Sequence, residues 1–145
     1  MYVNELQSNI QQRLGLTPTA LGATGTTAGK IIDRKGYGGV EFLIGIGAVS
    51  TTGSVITVLV KEGDVTGTLT SVADADLIGT EALAGVAAGT PKTSGVSQQV
   101  VKRIGYKGTK RYVQVSLINT GTTSAGLFWA DAILFNPQVA PVTNP

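Results

Sequence analysis

Two segments of this chain alternate apolar and polar side chains with a period of two, and that alternation limits what it can become. In Val40–Ile46, the side chains of Val40, Phe42, Ile44 and Ile46 point one way, and Glu41, Leu43 and Gly45 the other. In Lys110–Ile118, Val113, Val115 and Leu117 share one face while Tyr112, Gln114 and Ser116 share the opposite one. Such segments are half-buried strands. Between and beside them lie further short strand-like runs: Ile31–Asp33, the β-branched Ser54–Lys61, Thr68–Val72, Gln98–Ile104, and Leu127–Phe135, which is apolar on both faces except at Asp131. Glycine-rich turns separate them at Arg34–Gly39, Thr51–Gly53, Glu62–Gly67, Gly105–Thr109 and Asn119–Gly126. Short strands with frequent turns predict an all-β antiparallel sandwich or barrel. No helix alternates with them, so a parallel α/β sheet is not expected. Residues 73–99 predict an irregular loop with short strand pieces, because Gly79, Gly85, Gly89 and Pro91 interrupt any long run.

The ends read differently. Val3, Leu6, Ile10 and Leu14 recur at spacings of three and four, which predicts a short amphipathic helix. Residues 15–29 hold Gly, Thr and Ala with one Pro and no charge, and predict a flexible linker. From Asn136 the chain carries Pro137, Pro141 and Pro145, which predict an extended tail. The expected organisation is an N-terminal arm at 1–29, a β-sandwich domain at 30–135 and a tail at 136–145.

Chemistry is scarce. Among 145 residues there is no cysteine and no histidine, which removes disulfides, thiolate metal sites and the commonest general base near neutral pH. Asp74 and Asp76 are the nearest carboxylate pair, but a calcium site needs six to eight oxygen ligands and no matching spacing surrounds them. Ile44-Gly45-Ile46-Gly47 resembles the start of a dinucleotide fingerprint without its third glycine, helix or acidic partner, and strand packing explains it better. Trp129 lies in the last expected strand with Phe128 and Phe135, and a buried core aromatic is expected there in preference to a ligand platform. No enzyme activity, cofactor or metal is expected. The opening residues have no basic start or apolar run, and no stretch approaches the roughly 20 apolar residues that cross a bilayer, so neither a secretory signal nor a membrane partner is expected.

Charge points towards protein contact. Charged residues make up 14% of the chain, against about 25% in an average domain. Lys102, Arg103, Lys107, Lys110 and Arg111 fall on one predicted hairpin, whereas Glu62, Asp64, Asp74, Asp76 and Glu81 fall in a stretch without a basic residue. The cluster could be a solvated hairpin that blunts an exposed edge. It could instead complement a partner or a second copy. A nucleic-acid groove with Tyr106 and Tyr112 stacking on bases is disfavoured by the net charge of only +2. The pattern R-x-G-Y-x-G occurs at Arg34–Gly39 and again at Arg103–Gly108. Either the two are equivalent corners of a pseudo-symmetric sandwich, or Gly-rich turns look alike by chance.

Several phrases carry a resemblance. Lys30–Tyr37 with Val40-Glu41-Phe42, Ser71–Gly79, Arg103–Val113 and Phe135–Val142 resemble small proteins of tailed-bacteriophage head gene clusters, some similar to capsid cement (decoration) proteins with a jelly-roll body. The likeness covers residues 30–142. It implies a virion structural protein on the outside of the head that clamps the major capsid protein, with self-association as a dimer or trimer. It supplies no functional residue. The contacts expected from the residues themselves are Val3, Leu6, Ile10 and Leu14 in the arm, the Pro-rich tail, and Lys102, Arg103, Lys107, Lys110 and Arg111.

Overall fold

The computed structural model describes residues 5–21, 24–47, 53–87, 99–120 and 126–142. Val3, most of the turn at 51–53, residues 88–98 and the end of the expected tail lie outside the described residues. The chain is nearly all β and forms two antiparallel sheets packed face to face. One sheet, called A below, has the order β1-β10-β4-β8-β7; the other, B, has the order β2-β9-β5-β6, with β3 also paired to β9.

The strands expected from alternation and from the short runs between turns form close to where the sequence places them. They are β3 (Ile32–Asp33), β4 (Tyr37–Ile46), β5 (Val55–Gly63), β6 (Thr70–Ser71), β8 (Val100–Tyr106), β9 (Tyr112–Thr120) and β10 (Leu127–Pro137). One layer of the core is Val40, Phe42, Ile44 and Ile46 from β4 with Phe128, Ala130, Ala132 and Leu134 from β10. Facing it are Ile56, Val58 and Val60 from β5 with Val113, Val115 and Leu117 from β9, all buried. Burying a side chain of this size stabilises by roughly 1.5–3 kcal/mol, which orients each strand.

Residues 73–87 are less irregular than expected. A 3-10 turn at Asp74–Asp76, β7 (Leu77–Ile78) and the single-turn α1 (Glu81–Ala84) follow one another. β7 extends sheet A beside β8, while the segments on either side of it cover the free edge of β5. Val72 N–H donates to Val60 O at 3.0 Å, Val60 N–H donates to the Glu81 carboxylate at 2.7 Å, and Ile56 and Val86 exchange two backbone bonds. An otherwise bare strand edge is thereby satisfied.

The expected arm is corrected. No helix forms over 5–14; a 3-10 turn at Gln7–Asn9 leads directly into β1 (Ile10–Ala20), and β2 (Gly25–Ala28) follows. β1 pairs with β10 from Ile10↔Phe135 to Ala20↔Leu127, and β2 pairs with β9. Helical spacing of four apolar residues lost to the ladder that β10 offers, since tertiary pairing overrides weak local preference. Register shifts around Gly15 to Pro18 bend β1. The supposed linker also joins the two sheets. Gly29 N–H donates to Val115 O of sheet B at 2.9 Å, and the next amide, Lys30 N–H, donates to Gly15 O of sheet A at 2.6 Å.

The tail is partly ordered by the body. β10 runs through Pro137, Gln138 N–H donates to Gly36 O at 2.8 Å, and Val142 N–H donates to Ser8 O at 2.8 Å. Both terminal segments therefore meet at one pole of the sandwich.

Candidate functional site

Paired residues of antiparallel strands project to the same face, so the registers of sheet A give its outer face row by row. The first row is Trp129, Gly45 and Val101. The second is Leu14, Asp131, Leu43 and Arg103. The third is Gln12, Ile133, Glu41, Gly105 and Ile78. The fourth is Ile10, Phe135 and Gly39. Of the nine large apolar side chains that stand most exposed among the described residues, Leu14, Ile78, Val101 and Leu127 lie on this face.

Two glycines explain how the aromatics sit. A Cβ at Gly45 would fall inside the Trp129 indole, and one at Gly39 inside the Phe135 ring. The rings lie across bare backbone on the neighbouring strand and form a flattened apolar surface. Trp129 is thus not a core residue; it faces outward and is half-buried, and only Phe128 of the three expected aromatics is fully buried. The fingerprint-like glycines serve this packing, Gly45 beneath Trp129 and Gly47 donating to Leu127 O at 2.8 Å.

At the pole where the terminal segments meet, Glu5, Leu6, Asn9, Ile10, Phe135, Asn136 and Pro137 line an open groove of about 510 Å³. Ile10 and Phe135 belong both to this groove and to the outer face, so the two surfaces are continuous. Leu6 is exposed at 66%. The expected contact residues Leu6, Ile10 and Leu14 are thus brought onto one apolar surface, by strand geometry and not by a helix.

The basic cluster, by contrast, is dispersed. β8 lies in sheet A and β9 in sheet B, so the segment between them is a corner between layers and not a hairpin. Lys102 points inward, and its Nζ donates to Gly85 O at 2.6 Å; burial pulls its pKa down. Arg103 points outward, 79% exposed at the side chain, 3.7 Å from Glu41. Burial raises the Glu41 pKa, and the Arg103 charge opposes that shift. Lys110 pairs with Asp64 at 2.7 Å. Arg111 grips Asp33 with two hydrogen bonds, at 3.0 and 2.6 Å. That grip holds the Asp33 carboxyl down to about 2. Lys107 is exposed, with no side-chain partner among the described residues. Of the acidic and basic stretches that look complementary between copies, only Lys110 and Asp64 form an ion pair with each other among the described residues; Lys102, Arg103 and Arg111 find Gly85 O, Glu41 and Asp33 instead.

The repeated R-x-G-Y-x-G segments are not equivalent corners. Arg34 precedes β4, whereas Arg103 lies within β8. They do touch: Arg34 stacks over the Tyr106 ring at 5.3 Å and donates to Gly108 O at 2.7 Å and to Lys110 O. Tyr106 is fully buried. Its hydroxyl donates to the Glu62 carboxylate from the other sheet and accepts from Lys110 N–H at 3.0 Å. Burial first, then the Glu62 bond, pushes its pKa well above the ordinary tyrosine value. Each of these groups is occupied in locking the corner at 107–111. Asp74 is exposed, and no group of three His, Cys, Asp or Glu side chains converges among the described residues.

No protein-family model matches this chain, and no curated protein matches its sequence.

Proposed function

We propose that this chain is a virion structural protein of a tailed bacteriophage that binds the outside of the head and stabilises the major capsid protein lattice, without enzymatic activity. The observation that carries the contact half of this reading is the continuous apolar surface from the outer face of sheet A into the groove at Leu6, Ile10 and Pro137. Contiguous exposed apolar surface of this kind marks a protein-contact site. The phage half rests on the resemblance of residues 30–142.

A jelly-roll body is part of the proposal, and strand order supports it. The ladder pairs are β1 with β10, β2 with β9, β4 with β8, and β5 with β6, all antiparallel. A single long hairpin with its bend between β5 and β6, rolled over itself, gives those pairs and places successive arms in opposite sheets.

Purified protein should co-sediment with phage heads that lack it and raise their resistance to heat. Leu6→Asp, at an exposed position on the groove wall, should weaken co-sedimentation while leaving the melting temperature of the isolated protein unchanged. Binding to heads that is absent for the wild type, or indifferent to Leu6→Asp and to a matching Pro137→Asp, counts against the reading. Imaging of labelled particles separates cement from a head-completion, neck or tail part: signal over the whole head supports the former, signal at one vertex the latter. One observation favours a second reading, a carbohydrate- or receptor-binding module. Trp129 lies on an outer sheet face beside the Asp131–Gln12 hydrogen bond of 2.7 Å, an arrangement on which a sugar ring could stack. Saturable binding on a glycan array, lost in Trp129→Ala, would favour it.

A further inference from the structure

We infer that two copies of this chain pair through the outer face of sheet A, about a two-fold axis running along β4. The second row of that face reads Asp131 on β10, Leu43 on β4 and Arg103 on β8. Acid and base thus stand one strand to either side of Leu43. A two-fold axis along β4 exchanges the β10 side of one copy with the β8 side of the other. Asp131 then faces the partner's Arg103, Arg103 faces the partner's Asp131, and Leu43 meets its own copy. A self-complementary patch of this kind is what an isologous interface requires.

The neighbouring row fits the same operation. Trp129 on β10 faces the partner's Val101 on β8, so the bulkiest side chain of the face meets one of its more modest ones. Val101 is 58% exposed in the single chain and would be covered. Glu41 is also on the β4 line, but its carboxylate bends over Gly105 towards Arg103. It therefore approaches a cation and leaves the axis itself to Leu43. Arg103 is free to serve Asp131 of a second copy because its own pair with Glu41 is long, at 3.7 Å, and its side chain is 79% exposed.

The area is of the right order. Four strands about 4.8 Å apart, each contributing about eight residues of ~3.3 Å, span roughly 500 Å² of face. A standard interface buries ~800 Å² of accessible surface per partner. The inference does not rest on the virion reading: pairing takes the Trp129, Asp131 and Arg103 rows of the face and leaves the groove at Leu6, Asn9 and Pro137 to the head, so either can fail alone.

Analytical ultracentrifugation of the full chain tests it. The wild type should sediment as a dimer that dissociates on dilution, with a shift in the emission of Trp129, the only tryptophan in the chain. Arg103→Asp and Asp131→Arg should each weaken association by roughly tenfold or more, since each sets like charges face to face. The double variant R103D/D131R should recover it, because the two-fold axis inverts every pair. Circular dichroism melts of all three confirm that each chain is folded. A wild type that stays monomeric or forms a trimer overturns the inference. So do single reversals without effect, or a double reversal that fails to restore the dimer in a folded chain.

Discussion

The two sheets share one core but treat their outer faces in opposite ways. On the outer side of sheet B are Thr26 and Ala28 on β2, Thr57, Leu59 and Lys61 on β5, and Tyr112, Gln114 and Ile118 on β9, with Ser116 buried among them. The corresponding face of sheet A carries Trp129, Ile133, Phe135, Leu43, Leu14, Val101 and Ile78. Hydroxyls, an amide and a lysine interleave with the apolar groups of B, and water can solvate them. On A only Gln12, Glu41, Asp131 and Arg103 are polar, and they pair within the face, Gln12 with Asp131 and, at the longer distance of 3.7 Å, Arg103 with Glu41. Neither face is needed to close the core, so the difference reports on what lies outside the molecule. Sheet B presents groups that water can solvate, whereas sheet A presents the contiguous apolar surface on which the proposed contacts rest.

The largest effect on the face of sheet A is expected under the tryptophan. Gly45→Val puts a branched side chain where the indole lies and should destabilise the fold by about 1–3 kcal/mol through overpacking. Urea unfolding measures the loss, and the emission of the single tryptophan should shift as the ring is lifted from β4. An unchanged midpoint would mean that the flattened aromatic surface of sheet A is not held by its glycines. On the sheet B side, the strongest polar feature is the Asp33–Arg111 pair at β3. Asp33 has its pKa lowered from 3.8 to about 2, first by the Arg111 hydrogen bond. A depressed carboxyl stabilises the fold above its unfolded pKa, and that contribution is lost as pH falls through the folded pKa. Asp33→Asn should therefore cost up to about 1 kcal/mol at neutral pH, discounted for an exposed pair. The gap from wild type should close as pH falls from 3.8 to about 2. Thermal melts across that range are the measurement, and a gap that widens in acid would contradict the sign. The smallest effect is expected from Thr57→Lys on the wet face, within about 0.5 kcal/mol of wild type. A larger change there would show that the face of sheet B is also spoken for.

Much of the fold was legible in the sequence because strands that bury one face leave a period-two trace. β4 and β9 are the clearest cases, and their inward residues are those the alternation names. β1 was not legible. Leu6, Ile10 and Leu14 happen to sit at helical intervals, and the true partner of Leu14, Asp131, lies more than a hundred residues away. The outer face was hidden for a related reason. β10 is apolar on both sides, so nothing in its own sequence says which side is the core. A hint existed in β4, where glycine occupies the outward positions 39 and 45, leaving room for large rings across the ladder. The basic cluster misled because adjacency along the chain is not adjacency in space at a corner between sheets. Its charges find Gly85, Asp64 and Asp33 through long-range contacts that no local window contains.

The hydrogen bond from Val142 to Ser8 has a practical corollary. Because the entering and leaving segments touch, a short linker should splice them without strain, and new ends could be opened at the exposed turn around Val65–Gly67. Such a circular permutant would keep every ladder of both sheets. It would also move any fused cargo from the pole beside the Leu6 groove to the turn that joins β5 to β6, so that display and docking occupy separate parts of the sandwich.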